Sequence, residues 1–135
     1  MKPATQLMKR RLVCVLPEAS VAEAARVMKK GKTGSVLVGR LPKPAGIFTE
    51  RDLARKVVAQ GLDPRKTPVS AVMSRKLVTV DSSEPLEKVF ASLAKGHFRH
   101  IPITERGAVV GMISLTDLAE VFREMAAEEK FLQSF

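Results

Sequence analysis

Residues 46–53 read Gly-Ile-Phe-Thr-Glu-Arg-Asp-Leu, and residues 111–118 read Gly-Met-Ile-Ser-Leu-Thr-Asp-Leu. The two stretches share a glycine, a hydroxyl residue and an Asp-Leu pair at matching positions, 65 residues apart. Apolar residues precede the hydroxyl residue and a helix-compatible run follows it, so each stretch predicts a strand that leads directly into a helix. The pattern indicates an internal duplication, and a duplication decides the architecture of a chain.

The duplication extends over most of the chain at the same shift. Val15 aligns with Val80, for example, and Gly31 aligns with Gly96. A repeat of about 60 residues buries little surface alone, so we expect one pseudosymmetric unit of α/β (α+β) class, with two β-α-β-β-α repeats packed through their sheets. We place the first repeat at residues 7–61, a proline-containing linker at 62–71, the second repeat at 72–125 and a helical tail at 126–135.

Local signals predict the elements of each repeat. In the first repeat, the capping box Ser20-Val-Ala-Glu23 begins a helix, and Gly31 is placed to end it. In the second repeat, Pro85 suits the first turn of a helix, and Gly96 is placed to end that helix. The predicted strands are 12–16, 35–38, 45–48, 78–80, 100–103 and 109–113, and the predicted helices begin near residues 20, 50, 85 and 115.

The composition is that of a globular protein without a membrane segment. Apolar residues make up 45% of the chain, yet no apolar run approaches the roughly 18 residues that span a bilayer. The basic N-terminus precedes only a short apolar stretch at residues 12–16, too short for a signal peptide, so we expect an untargeted, cytoplasmic protein. The single cysteine, Cys14, excludes an internal disulfide and a multi-cysteine metal site.

The charge balance favours an anionic partner. Lysine and arginine number 23 against 14 aspartates and glutamates, a net charge of +9. Nucleotides, nucleic acids and acidic protein surfaces all satisfy that preference, and a set of solvated cations is the structural alternative. Single-stranded nucleic acid also needs stacking rings among the cations, and the chain has six scattered phenylalanines and neither tryptophan nor tyrosine. Nucleic acid is therefore the less favoured partner.

The repeated hydroxyl-x-x-Asp turn has two interpretations. Thr49 with Asp52, and Ser114 with Asp117, have the spacing of a capping box, which occurs in many helices without a site. The same turn offers free N–H groups and the positive end of a helix dipole, which suit a phosphate. Its aspartate can accept hydrogen bonds from both hydroxyls of a ribose, as an acidic residue does in dinucleotide-binding folds. The spacing alone leaves both interpretations open.

An ordered set of segments resembles a tandem pair of CBS domains, often called a Bateman module. The set consists of the two stretches quoted first together with Pro68-Val-Ser-Ala-Val-Met73, Val78-Thr-Val80 and Phe98-Arg-His-Ile-Pro-Ile103. The resemblance covers residues 7–125 and leaves nothing that looks like a fused catalytic or transport domain. It implies a stand-alone regulatory module whose ligand is AMP, ADP, ATP or a related adenosyl compound such as S-adenosylmethionine.

The resemblance also implies roles for residues that would line the cleft between paired repeats. The ribose would be held by Asp52 and Asp117. The phosphates would lie near Thr49, Arg51, Lys32, Ser114, Thr116, Arg99 and His100. The adenine would lie against Cys14, Val15, Thr33, Gly34, Ser35, Thr79, Val80 and Phe98. A metal site is not expected.

The two copies differ where the phosphates are expected. The second repeat has the cationic pair Arg99-His100, whereas the first has Gly34-Ser35 at the same positions. A histidine alone is more often packed or solvent-capped than bound to a ligand, but a neighbouring arginine favours the phosphate role for His100. We therefore expect two unequal sites, with the stronger phosphate contacts in the second repeat.

Three expectations concern activity and partners. An enzyme is disfavoured, because the sequence shows no nucleophile with its base and no cluster of ligands at metal spacing. The resemblance implies a homodimer, for which the helix faces with Val57-Val58 and Val121-Phe122 are candidates, and a ligand-free assembly module stays an alternative. An unknown regulated protein would contact the last helix and the apolar tail residues Phe131, Leu132 and Phe135.

Overall fold

A β-α-β-β-α order of elements occurs twice along the chain. The computed structural model describes residues 3–96 and 98–133, with side chains up to residue 129. Within these residues the architecture is mixed α/β, with two three-stranded sheets and four helices. The predicted fold class is therefore confirmed. The apolar tail residues Phe131, Leu132 and Phe135, for which a partner contact is predicted, lie outside the described side chains.

The first repeat builds its sheet in the order β1-β2-β3. Its elements are β1, Cys14–Val15; α1, Val21–Gly31; β2, Ser35–Val38; β3, Gly46–Thr49; and α2, Glu50–Asp52, which continues directly as a π-helix, Leu53–Val58. Strand β1 runs parallel to β2, and β2 runs antiparallel to β3. All four residues of β2 are buried, as expected for the central strand of a covered sheet.

The second repeat builds its sheet in the order β4-β5-β6. Its elements are β4, Val80–Asp81; α3, Leu86–Gly96; β5, His100–Glu105; β6, Ala108–Ser114; and α4, Leu115–Gln133. Strand β4 runs parallel to β5. Burial alternates along β6, so every second residue faces the core, and Leu118 of α4 is also buried.

Helix α1 shows how the sequence signals act. Ser20 caps the helix, because its hydroxyl accepts a hydrogen bond from the Glu23 amide at 3.1 Å. The helix ends at Gly31 as predicted, but the left-handed residue is the next one, Lys32, with φ 52°. A Cβ on Gly31 would meet only ordinary contacts, at 3.5 Å and beyond. Glycine is therefore not required at this helix end.

Two predicted elements differ in extent or type. Strand β1 is shorter than predicted, because its ladder with β2 contains only the pairs Cys14–Leu37 and Val15–Val38. The helix predicted from Glu50 is present, but its larger part is a π-helix, in which the Ala59 amide donates to the Ala54 carbonyl at 2.9 Å. A wider π-turn of this kind is rare and is often associated with functional regions.

The contacts divide the chain into two units that do not coincide with the repeats. The first-repeat unit comprises Arg11–Leu77 and Arg106–Val110. The second-repeat unit comprises Met1–Arg10, Val78–Glu105 and Gly111–Phe135. The segment that precedes each repeat therefore belongs to the unit of the other repeat. We name residues 3–9 the N-terminal lead-in segment and residues 68–74 the internal lead-in segment.

Candidate functional site

In the first-repeat unit, the turn between β3 and α2 is a complete capping box. The Thr49 amide and hydroxyl both donate to Oδ2 of Asp52, at 3.0 and 3.1 Å. The Asp52 amide donates in return to the Thr49 hydroxyl at 3.3 Å. The structural interpretation of this turn therefore holds, and one carboxylate oxygen of Asp52 is fully used by the cap.

The turn between β6 and α4 in the second-repeat unit is built in the same way. The Ser114 amide donates to Oδ2 of Asp117 at 2.8 Å, and the Asp117 amide donates to the Ser114 hydroxyl at 3.1 Å. Asp117 is only 6% exposed. In both units the cap uses Oδ2, so Oδ1 is the oxygen that can serve another partner.

A lysine contacts Oδ1 of each of these aspartates. Lys56, from the π-helix, lies 3.2 Å from Oδ1 of Asp52 and donates to the Val72 carbonyl at 3.2 Å. Lys9, from the N-terminal lead-in segment, lies 3.3 Å from Oδ1 of Asp117. Sequence reasoning identified neither lysine. The i,i+4 spacing of Asp52 and Lys56 is a signal that could have identified the first pair, whereas no local spacing points to the second.

The residues before β2 and β5 lie against these turns. The Glu50 amide donates to the Gly34 carbonyl at 3.0 Å, and the Leu115 amide donates to the Arg99 carbonyl at 2.7 Å. The two contacts are equivalent under the 65-residue shift. Each unit therefore brings its hydroxyl-x-x-Asp turn against the start of its second strand, where the site residues Thr33, Gly34 and Ser35 are predicted in one unit and Phe98, Arg99 and His100 in the other.

An open pocket of ≈ 390 Å³ lies beside the first of these turns, within the first-repeat unit. It is lined by Ala25, Met28, Lys29, Lys32, Thr33, Gly34, Glu50 and Leu53. Three of these residues, Lys32, Thr33 and Gly34, belong to the predicted site. Two lysines and one glutamate beside apolar side chains suit a ligand that has both a charged and an apolar part. Arg51 and Thr116, predicted to lie near phosphates, are exposed in the first turns of their helices.

The residues predicted to contact adenine from the first strand of each repeat lie elsewhere in the sheet. Cys14 and Val15 pair with β2 on the side opposite β3, and therefore not next to Thr49. The side chains of Val15 and Val80 are buried, whereas Thr79 is exposed. Partial burial raises the pKa of the Cys14 thiol, which makes the thiol less reactive at neutral pH.

The CBS-domain family model matches residues 4–59 and 69–124, most of the chain. The chain belongs to the CBS-domain family. CBS-domain protein YhcV of Bacillus subtilis is 34% identical over 119 residues, covering 88% of this chain and 84% of that protein. Other curated relatives are much longer, and the chain spans only 13% of some of them. This chain is therefore a pair of CBS domains.

Two solved structures resemble this CBS pair closely. A putative signal-transduction protein with CBS domains from Burkholderia ambifaria has a TM-score of 0.85 and 31% identity, covering 90% of this chain and 93% of that one. CBS domain protein PAE2072 from Pyrobaculum aerophilum, solved in complex with AMP, has a TM-score of 0.81 and 25% identity, covering 93% and 99%. The likeness extends over nearly the whole of each chain.

Two features are absent from the part of this CBS pair that the structure describes. Among residues 3–96 and 98–133, no helix has the length and apolarity that a membrane crossing requires. The same residues contain no group of three or more histidine, cysteine, aspartate or glutamate side chains placed to share a metal ion.

Proposed function

We propose that this CBS pair is a sensor of AMP, ADP, ATP or a related adenosyl ligand, with Asp117 and Asp52 as the ribose acceptors. The observation that carries the proposal is that the two oxygens of each carboxylate have different partners. Oδ2 accepts the hydrogen bonds of the helix cap, and Oδ1 lies next to a lysine. A ligand hydroxyl can take Oδ1 without breaking the helix cap. The AMP complex of a structural neighbour supports this choice of ligand class.

The two aspartates differ in the number of acceptor positions that their described contacts use. A carboxylate has about four lone-pair positions. The contacts of Asp52 use three of them, for the Thr49 amide, the Thr49 hydroxyl and Lys56. The contacts of Asp117 use two, for the Ser114 amide and Lys9. Asp117 therefore has more capacity for a pair of ribose hydroxyls, and we place the tighter site in the second-repeat unit.

The phosphate groups are assigned by charge. Arg99 and His100 lie at the N-terminal side of β5, beside the first turn of α4. The first-repeat unit offers Lys32 at the rim of its pocket instead. We propose that occupancy shifts the population between arrangements of the two repeats, and that a partner protein responds to the shift.

A thermal-shift panel of AMP, ADP, ATP, NAD and S-adenosylmethionine tests the proposal, followed by calorimetry on the best ligand. A ligand at 100 times its Kd stabilises the folded state by about 2.7 kcal/mol. Asp117→Asn should weaken binding at least tenfold while the amide oxygen still accepts from the Ser114 amide, so that the cap is retained. Asp52→Asn, the matched variant, should weaken binding less. Unchanged affinity in Asp117→Asn would refute the assignment, and no stabilisation by any compound would favour the ligand-free assembly module.

Nucleic-acid binding is the second candidate, because the positive charge is concentrated in one unit. The first-repeat unit contains fifteen basic and five acidic residues, whereas the second-repeat unit contains eight and nine. A nucleic-acid surface should give an affinity that falls steeply with salt, with a log-log slope set by the number of phosphates contacted. A nucleotide sensor should bind duplex DNA weakly at physiological salt. Titration of a labelled duplex at several salt concentrations distinguishes the two candidates.

We further propose that the chain forms a homodimer through its exposed helix faces. Val57 is fully buried and belongs to the core, whereas Val58 is 70% exposed. In the second-repeat unit, Phe90 and Phe122 contact each other edge to face at 5.5 Å and remain nearly half exposed, as does Met125. Light scattering should give the mass of a dimer for the wild type and of a monomer for Phe122→Asp. An unchanged mass in that variant would exclude this face.

A further inference from the structure

The two lead-in segments dock in the same way, each on its own unit. In the second-repeat unit, the Lys9 amide donates to the Met112 carbonyl at 2.9 Å, and the Met112 amide donates to the Lys9 carbonyl at 3.0 Å. In the first-repeat unit, Ser74 and Ile47 exchange the equivalent pair of hydrogen bonds, at 2.8 and 2.9 Å. The backbone of each segment thus adds a short antiparallel bridge to the strand that precedes the hydroxyl-x-x-Asp turn.

The segments differ in the side chain that they present to that turn. Lys9 and Ser74 occupy equivalent positions, but only Lys9 has a charge to offer the aspartate. Its side chain is 74% exposed, whereas the side chain of Asp117 is 8% exposed. The ammonium group therefore covers the accessible oxygen of a nearly buried carboxylate and can move into solvent at little cost.

The lysine of the first-repeat unit has a different set of partners. Lys56 contacts both Oδ1 of Asp52 and the carbonyl of Val72, in the internal lead-in segment. A ligand that takes Oδ1 of Asp52 leaves the bond to Val72 in place. A ligand that takes Oδ1 of Asp117 removes the one ion pair that Lys9 makes with the described residues.

We infer that Lys9 is a counter-ion that the ligand displaces at the second site, so that occupancy of Asp117 and docking of the N-terminal lead-in segment oppose each other. The inference rests on the proposed ribose role of Asp117. Because binding free energies are linked, the ligand weakens the docking equilibrium of the segment by the same factor by which Lys9 weakens the affinity for the ligand. For an ion pair with one exposed partner, we expect this change in affinity to be roughly two- to fivefold. The internal lead-in segment should not respond in this way.

Calorimetry on Lys9→Met tests the inference with adenosine and AMP as probes. Methionine keeps an unbranched apolar side chain and removes the charge. We expect adenosine to bind about two- to fivefold tighter to the variant. Adenosine is the decisive probe because it has no phosphate, whereas AMP also reports any attraction between Lys9 and the phosphate. Lys88→Met is the matched control, since Lys88 makes an exposed pair with Glu84 in the same unit, and its affinities should equal those of the wild type.

Hydrogen exchange on the wild type gives an independent readout. Saturation with AMP should speed the exchange of the Lys9 and Met112 amides, while the Ser74 and Ile47 amides keep or slow their rates. Equal or weaker adenosine binding in Lys9→Met, or slower exchange at Lys9 and Met112, would overturn the inference. If that result accompanies a loss of AMP affinity in Asp117→Asn, the proposed function stands and only the displacement fails. If neither probe binds the wild type, both proposals fail.

Discussion

In the first-repeat unit the lysine that pairs with the aspartate of the turn comes from the helix itself, whereas in the second-repeat unit it comes from a distant segment. The two turns share the cap on Oδ2 and the carbonyl that receives the first helical amide, and they differ in that the Thr49 hydroxyl also donates to Asp52. The duplication has therefore kept the backbone geometry of the turn while the cation beside Oδ1 changed its origin. The difference shows that the same turn can be paired with a lysine from its own helix or from a segment distant in sequence.

Burial of the leucine that follows each aspartate provides the strongest test of this comparison. Leu118 is 2% exposed, whereas Leu53 is a partly buried residue at the margin of its core. Leu118→Ala should lower the free energy of unfolding by about 3 kcal/mol, within the range for buried leucines, and Leu53→Ala by about 1–2 kcal/mol. Chemical denaturation measures both losses. Equal losses would show that the two helices are held equally, contrary to the burial.

Substitution of Gly46 or Gly111, which begin residues 46–53 and 111–118, should give the next largest difference in the free energy of unfolding. A Cβ on Gly46 would lie 2.6 Å from the Ser74 carbonyl oxygen, a backbone atom, whereas a Cβ on Gly111 would lie 2.5 Å from the Met8 sulfur. A methionine side chain can move and a bridged backbone cannot do so without losing its hydrogen bonds. Gly46→Ala should therefore cost about 2–3 kcal/mol and Gly111→Ala about 1 kcal/mol.

Denaturation of both alanine variants checks the prediction, and exchange of the Ser74 amide locates the damage. In Gly46→Ala this amide should exchange faster, because the internal lead-in segment is pushed from its strand. A larger loss in Gly111→Ala than in Gly46→Ala would mean that Met8 is held more rigidly than the backbone of Ser74.

Substitution of Lys56 or Lys9 should give a smaller difference in the free energy of unfolding. Lys56→Met removes an ion pair and a hydrogen bond to the Val72 carbonyl, so we expect a loss of about 1 kcal/mol. Lys9→Met removes one ion pair of an exposed lysine, so we expect about 0.5 kcal/mol or less. Thermal unfolding at low and high salt measures both, and added salt should reduce the difference. A greater loss in Lys9→Met would contradict this order.

Much of the fold follows from the sequence because its signals are local. The Ser20 cap and the apolar spacing along α1 predict that helix, and the shift of 65 residues transfers the interpretation to the second copy. The hydroxyl-x-x-Asp turn could likewise be predicted, because a capping box involves residues only three positions apart.

The contacts that the sequence did not reveal are those between distant segments. Nothing in the local pattern places Lys9 beside Asp117, or assigns the N-terminal lead-in segment to the unit of the second repeat. Such pairings depend on tertiary packing, whereas the periodicity of helices and strands reports only local secondary structure. The π-helix after Asp52 was missed for a related reason, since a π-turn and an α-turn present similar apolar patterns over six residues.

The smallest expected effect concerns Asp81, at the end of β4, which has no acidic equivalent in the first repeat because Leu16 occupies that position. The Ser83 hydroxyl, at 2.6 Å, and the Ser83 amide, at 3.0 Å, both donate to Oδ1 of Asp81 and lower the pKa of this exposed carboxyl. A lowered pKa in the folded state means that the interaction stabilises the fold above the unfolded pKa, and that this stability is lost as the pH falls through the folded pKa.

Ser83→Ala removes the hydroxyl and keeps the amide, so the pKa of Asp81 should move part of the way back towards its ordinary value. The contribution of this carboxyl to stability should therefore be smaller than in the wild type, and its loss on acidification should be complete at a higher pH. A carboxyl-detected NMR titration of Asp81 measures the pKa directly, and Ser92→Ala, on α3 away from this carboxyl, controls for the loss of a serine. An unmoved titration midpoint in Ser83→Ala would contradict this prediction. It would mean that the Ser83 amide alone lowers the pKa of Asp81 and that the hydroxyl makes no contribution.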